Sequence, residues 1–160
     1  MASRPKEDIG AVISCQYGGA TNNSGAPLTI TAAGTGDNTA VTGATIDRAS
    51  YGMAQSAEVG VLWLAALQAT ETLDLAVEYQ TSADGSTWDT AVALQASATV
   101  ATGDTGGSNE SGITKFSLNM SGLKRYVRVN FTPDLSASGT DTAILMSLWA
   151  LGGADTLPIT

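Results

Sequence analysis

The chain has 160 residues and a formal net charge of −8, with no histidine and a single cysteine, Cys15. The missing histidine removes the commonest general acid–base and the commonest metal ligand, and one cysteine excludes an internal disulfide or a Cys-rich zinc site. From Ala49 to Thr114 there are eight acids and no base, which argues against a phosphate-backbone partner and for a soluble acidic surface.

In chain order, Met1 to Asp8 is charged and Pro-containing and reads as an arm outside the packed domain. Ile9 to Tyr17 reads as a first short strand. Val12–Cys15 lacks the basic start and long apolar stretch of an export signal, so Cys15 is read as a small buried or half-buried thiol. Gly18 to Pro27 is loop by composition. Leu28 to Ala32 has the β-branched content of a strand. A turn at Gly34 to Asn38 follows, then short strands at Thr39–Thr42 and Ala44–Asp47, and a loop with a helical turn over Ala49 to Glu58.

Val59 to Leu67 is nearly continuous apolar sequence, the signature of a strand covered on both faces. At nine residues it falls well short of the roughly 20 that a membrane helix needs. Leu73 to Leu94 is the clearest hairpin. Leu73, Leu75, Val77 and Tyr79 alternate against Asp74, Glu78 and Gln80, and a second arm from Trp88 to Leu94 repeats the period of two. Between them, Asp84 can bond to its own backbone and Gly85 supplies the positive φ of a tight reversal.

Ala96 to Gly112 reads as a long polar loop. Ile113 to Met120 alternates as a strand, and so does Lys124 to Phe131, with Val127, Val129 and Phe131 inward and Tyr126, Arg128 and Asn130 outward. After a turn at Thr132 to Gly139, Thr142 to Leu151 is the last strand. The fold class is therefore all-β: an antiparallel β-sandwich or jelly roll of about eight to ten strands with little helix. Residues 1–17 form an arm with a first short strand, and 18–160 form one sandwich domain.

Candidate sites are few. The one basic cluster, Lys124, Arg125 and Arg128, would either grip an acidic partner or pair with acids of the neighbouring strand such as Glu78 or Asp74. Lys124, Tyr126 and Arg128 mark the exposed patch it would form. Trp63 and Trp149 lie in apolar runs and read as core, whereas Trp88 follows the turn and reads as rim. Asp104, Asn109 and Glu110, or Asp37 and Asn38, lack the spacing of a defined calcium loop. No cofactor or metal is implied, and the poor acid–base inventory argues against an enzyme.

Two families share segments with this chain. Gly36–Asp37–Asn38–Thr39 through Thr45–Ile46–Asp47–Arg48, then Asp84–Gly85–Ser86–Thr87–Trp88, Gly122 to Val129 and the closing Ala150–Leu151–Gly152–Gly153 resemble, in the same order, small tailed-phage capsid decoration (cement) proteins. Tyr79 to Trp88 and Arg125 to Val129 are also similar to discoidin-like, factor 5/8 type C, carbohydrate-binding jelly rolls. The first half of the chain lacks that family's aromatic and Cys-bearing opening.

The first resemblance implies a structural virion protein on the exterior of an icosahedral head, made in the host cytoplasm. It would stabilise major capsid protein contacts and assemble as a homotrimer on the shell, with neither nucleic acid nor membrane as partner. On that reading the arm docks: Arg4 and Lys6 meet acidic capsid groups, and Ile9, Val12, Ile13 and Tyr17 belong to a segment that can add as a strand to a capsid edge.

Overall fold

The structure is a computed structural model and describes residues 14–18 (backbone only), 26–137 and 139–153. Among the described residues nine strands follow one another: β1 (Ser14–Gly18), β2 (Leu28–Thr31), β3 (Val41–Asp47), β4 (Ser56–Leu67), β5 (Thr72–Ser82), β6 (Val92–Thr102), β7 (Ser108–Asn119), β8 (Tyr126–Leu135) and β9 (Thr142–Gly152), with a 3-10 turn at Arg48–Tyr51. They form two antiparallel sheets. The larger has the order β1-β9-β4-β7, with β2 also on β9, and the smaller has the order β3-β8-β5-β6. The expected all-β sandwich is what the chain forms.

Alternation decides the core. Val59 and Val61 of β4, with Leu145, Trp149 and Leu151 of β9, meet Leu73, Leu75 and Val77 of β5 and Val127, Val129 and Phe131 of β8, all at most 1% exposed. Burying each such side chain stabilises the fold by about 1.5–3 kcal/mol. The sheets approach closely at Gly43, where an added Cβ would lie 2.6 Å from the Ser147 hydroxyl oxygen and 2.9 Å from Val129. That same hydroxyl oxygen accepts a hydrogen bond from the Ala44 amide at 3.1 Å, tying the two layers together inside the core.

The hairpin turn works as its residues suggest. Asp84 Oδ1 accepts from the Ser86 and Thr87 amides at 2.8 and 2.7 Å and from the Ser82 hydroxyl at 2.9 Å, and Gly85 has φ 76°. The Thr87 and Ser86 amides, then the Ser82 hydroxyl, hold the Asp84 carboxyl well below the usual carboxylate range.

Several boundaries differ from expectation. Trp88 to Ala91 is not strand: the Asp89 amide donates to the Thr81 carbonyl at 2.9 Å, the Thr81 hydroxyl donates to the Asp89 carboxylate at 2.7 Å, and a wide loop closes there. The supposed polar loop from Ala96 to Gly112 is mostly strand, because β6 runs to Thr102 and β7 starts at Ser108. β6 is an edge strand exposed over most of its length, so its Ala, Ser and Thr residues need no apolar alternation. Val41–Thr42 and Ala44–Asp47 are not two strands but parts of one, β3, and Thr39 and Ala40 lie before it. Pro133, expected in a turn, lies in β8; β3 begins at Val41, opposite Phe131, and so asks no ladder bond of the proline.

Candidate functional site

The basic cluster is occupied from within the chain. Lys124 Nζ lies 2.6 Å from Asp89 Oδ1. Arg125 forks onto Asp47 at 2.8 and 2.7 Å, and its guanidinium sits 5.0 Å from the Tyr126 ring centroid. Arg128 donates to Gln80 Oε1 at 3.0 and 2.7 Å and stacks 4.1 Å over the Trp88 ring. The acids used are thus Asp89 and Asp47, not Glu78 or Asp74. Their carboxyls are held below the ordinary range, Asp89 chiefly by Lys124 and Asp47 chiefly by Arg125. Burial lowers the Arg128 guanidinium.

Neighbouring contacts bring the segments around Asp37 and Asp47 together with the ends of β8. Asp47 caps the 3-10 turn by accepting from the Ala49 amide at 3.1 Å. Arg48 is 2% exposed; its Nε donates to the Ala54 carbonyl at 3.0 Å, and Nη1 donates to the carbonyls of Leu123 and Lys124. Asp37 accepts from the Ala33 amide at 2.6 Å and from the Leu135 amide at 2.8 Å. The TIDR and GDN segments therefore anchor the loops at either end of β8, a structural task. Among the described residues no group of His, Cys, Asp or Glu is placed to hold a metal ion.

The aromatic residues do not form a common platform. Trp149 is fully buried and Trp63 is half-buried on the inner face, where its indole N–H donates to the Thr114 hydroxyl at 3.3 Å. Trp63 lies across Gly112, whose missing side chain makes the room: an added Cβ there would sit 2.5 Å from the indole. Trp88 lies in the loop between β5 and β6, against the outer side of the smaller sheet, where Arg128 stacks on its ring.

The unexpected feature is the outer face of the larger sheet. β4 was expected to be covered on both sides, yet Leu62 and Leu64 on its outer side are 40% and 49% exposed. In register beside them stand Ile113 of β7, opposite Leu62, and Ile144 of β9, opposite Leu64, each about two-fifths exposed. With Pro27 and Met146 they line a shallow groove of about 610 Å³. Along β4, β7 and β9 the outward charged positions among the described residues are Glu58 and Lys115, which pair at 3.4 Å and cancel. This face is apolar and electrically balanced on a chain of charge −8. Covering these four side chains would stabilise a contact by a few kcal/mol.

Sequence reasoning named none of these four residues as a site. The available signal was the unbroken apolar run in β4, which implied a second cover without saying that the cover was missing from the described chain. Of the residues expected in the docking arm, Arg4, Lys6, Ile9, Val12 and Ile13 lie outside the described residues. The backbone of Tyr17 lies in β1, opposite Leu148 of β9.

No family model matches the chain, and no curated protein matches it. Solved structures with a similar layout include that of the infectious bursal disease virus Gx strain (TM-score 0.49, 12% identity, 89% of this chain and 33% of that one). Others are the VP2 subviral particle of the same virus (TM-score 0.43, 13% identity, 90% and 38%) and Eiger TNF from S. frugiperda (TM-score 0.44, 8% identity, 91% and 95%). The chain spans about a third of the length of the viral chains it matches. At this distance the likeness is one of β layout, shared by a virus particle and a TNF protein alike, and no functional argument rests on it.

Proposed function

We propose that this chain is a non-enzymatic structural protein of a virus particle, a decoration protein on the outside of an icosahedral phage head that stabilises contacts between major capsid subunits. The observation that carries this reading is the uncovered, charge-balanced apolar face built from Leu62, Leu64, Ile113 and Ile144. An apolar face on an otherwise acidic domain marks a protein contact, and the ordered succession of segments resembling decoration proteins names the kind of partner. The larger sheet faces the shell, while the acidic outer face of the smaller sheet faces solvent, away from the packaged nucleic acid. The arm supplies a second contact through Arg4 and Lys6, and the homotrimer implied by the resemblance sets three copies about a shell three-fold.

The test is co-sedimentation with heads assembled from the major capsid protein of the same virus. Leu64→Asp with Ile144→Asp, both at exposed positions, weakens binding by about tenfold or more, since each charge must be buried against the shell. Removing residues 1–8 weakens it separately. Undiminished occupancy by the double variant overturns the docking face. A glycan-binding role is less favoured by the geometry, because Arg128 stacks on one face of the Trp88 ring that would meet a sugar.

A further inference from the structure

An open sandwich has four sheet edges, each a row of backbone N–H and C=O groups able to accept another strand. Three edges here carry a feature that discourages pairing. β6 meets β5 through three register shifts, at Leu73/Asp74, Leu75/Val77 and Val77/Glu78. β3 shifts register between Thr42 and Thr45. The edge beyond β9 is divided between β1, of five residues, and β2, of four. Bulges and short strands interrupt the row that an incoming strand would need.

β7 has no such interruption. Its twelve residues pair one for one with β4, from Ser108 opposite Leu67 to Asn119 opposite Ser56. Among the described residues no strand pairs with its other side. A lysine often guards an edge, but the one lysine of β7, Lys115, is engaged by Glu58 of the strand behind it.

We propose that β7 is a self-pairing edge: a second copy of this chain adds its own β7, antiparallel, about a two-fold axis perpendicular to the sheet. Such an axis keeps every residue on its own face, and directly opposed residues of an antiparallel pair share a face. An odd-numbered residue can therefore oppose only another odd-numbered one. Registers centred on Lys115 or Glu110 set like charges against each other and are disfavoured.

The register centred on Ile113 avoids this. It places the one exposed large apolar side chain of β7 against its own copy on the axis, Ser111 opposite the second copy's Lys115, and Phe116 opposite the second copy's Glu110. Pairing joins the two larger sheets into one, and the two apolar outer faces become a single continuous surface. A second copy fits this edge better than an unrelated strand does: the central residue pairs with itself, and the adjoining face is where two chains of charge −8 meet without facing acids.

Sedimentation velocity of the free full-length chain, from micromolar to near-millimolar concentration, tests this independently of any shell. The expected result is a reversible monomer–dimer equilibrium. Ser111→Lys sets a lysine opposite the second copy's Lys115 and raises the dissociation constant on the order of fivefold; Ser111→Glu sets an acid there and lowers it by a similar factor. Overall charge acts the other way, because the lysine variant is less negative and the glutamate variant more so. A chain that stays monomeric throughout, or a dimer whose two variants respond in the order of net charge or not at all, overturns the proposal.

Discussion

The two outer faces of this sandwich are built on opposite plans. On the smaller sheet, Glu78, Gln80, Arg128 and Asn130 form a connected set: Asn130 donates to Gln80 at 2.8 Å and to Glu78 at 3.3 Å, and Arg128 donates to the same Gln80 oxygen. Asp74 and Asp134 stand directly opposite each other on that face. On the larger sheet the corresponding positions hold Leu62, Leu64, Ile113 and Ile144, with one ion pair as the only charge on that face among the described residues. The first face engages most of its polar groups with its own side chains, while Asp74 Oδ1 and Asn130 Oδ1 are buried there without a hydrogen-bond partner. The second is left for something else to cover, so substitutions on the two faces should separate stability from association.

The largest effect on stability is expected beside the smaller sheet, at Arg48. Arg48→Ala leaves three carbonyls without the guanidinium that binds them, and should cost about 3 kcal/mol in urea unfolding. Next is Arg128→Ala, which removes the stack on Trp88 and the bonds to Gln80. About 1 kcal/mol should be lost, and Trp88 fluorescence should respond as the ring is uncovered.

A smaller effect of opposite sign is expected at Asp134. Burial, then Asp37 and Asp74, raise its carboxyl above the ordinary 3.8. In the folded chain it therefore takes up a proton at a higher pH than in the unfolded chain. The stability it costs at neutral pH is recovered as the pH falls through that raised value. Asp134→Asn should gain about 0.5 kcal/mol at neutral pH, the scale of a like-charged cross-strand pair, and the gain should shrink towards about pH 4. A gain that does not change with pH would show that charge is not its origin.

The smallest effect on stability is expected on the larger sheet. Leu64→Ser should change unfolding by no more than about 0.5 kcal/mol, as an exposed substitution does, while weakening attachment to the shell. A loss of several kcal/mol would mean that this face is already covered within the folded chain, and the contrast between the two faces would fail.

Legibility from sequence followed burial. Leu73, Leu75 and Val77, and likewise Val127, Val129 and Phe131, could be assigned inward because one-sided burial writes itself as a period of two. The Asp84–Gly85 turn could be read because its chemistry is local. β6 could not: an edge strand open to water accepts Ala, Ser and Thr, which are also loop residues. The partners of Lys124 and Arg125 were misjudged for a related reason. Asp89 and Asp47 lie 35 and 78 residues away in sequence, and only the folded path brings them near.

From the residues alone follow the all-β class, the inward sets of the central strands, the hairpin turn and the poverty of acid–base chemistry, since each depends on local periodicity or on composition. The tertiary structure alone decides which edges are interrupted, that Arg48 is buried, and that the apolar run of β4 is covered on one side only. An apolar run states that two faces want cover; strand order determines which face finds it within the chain. Here the inner face meets Leu75, Val77 and Phe131, and among the described residues nothing reaches Leu62 and Leu64 from outside.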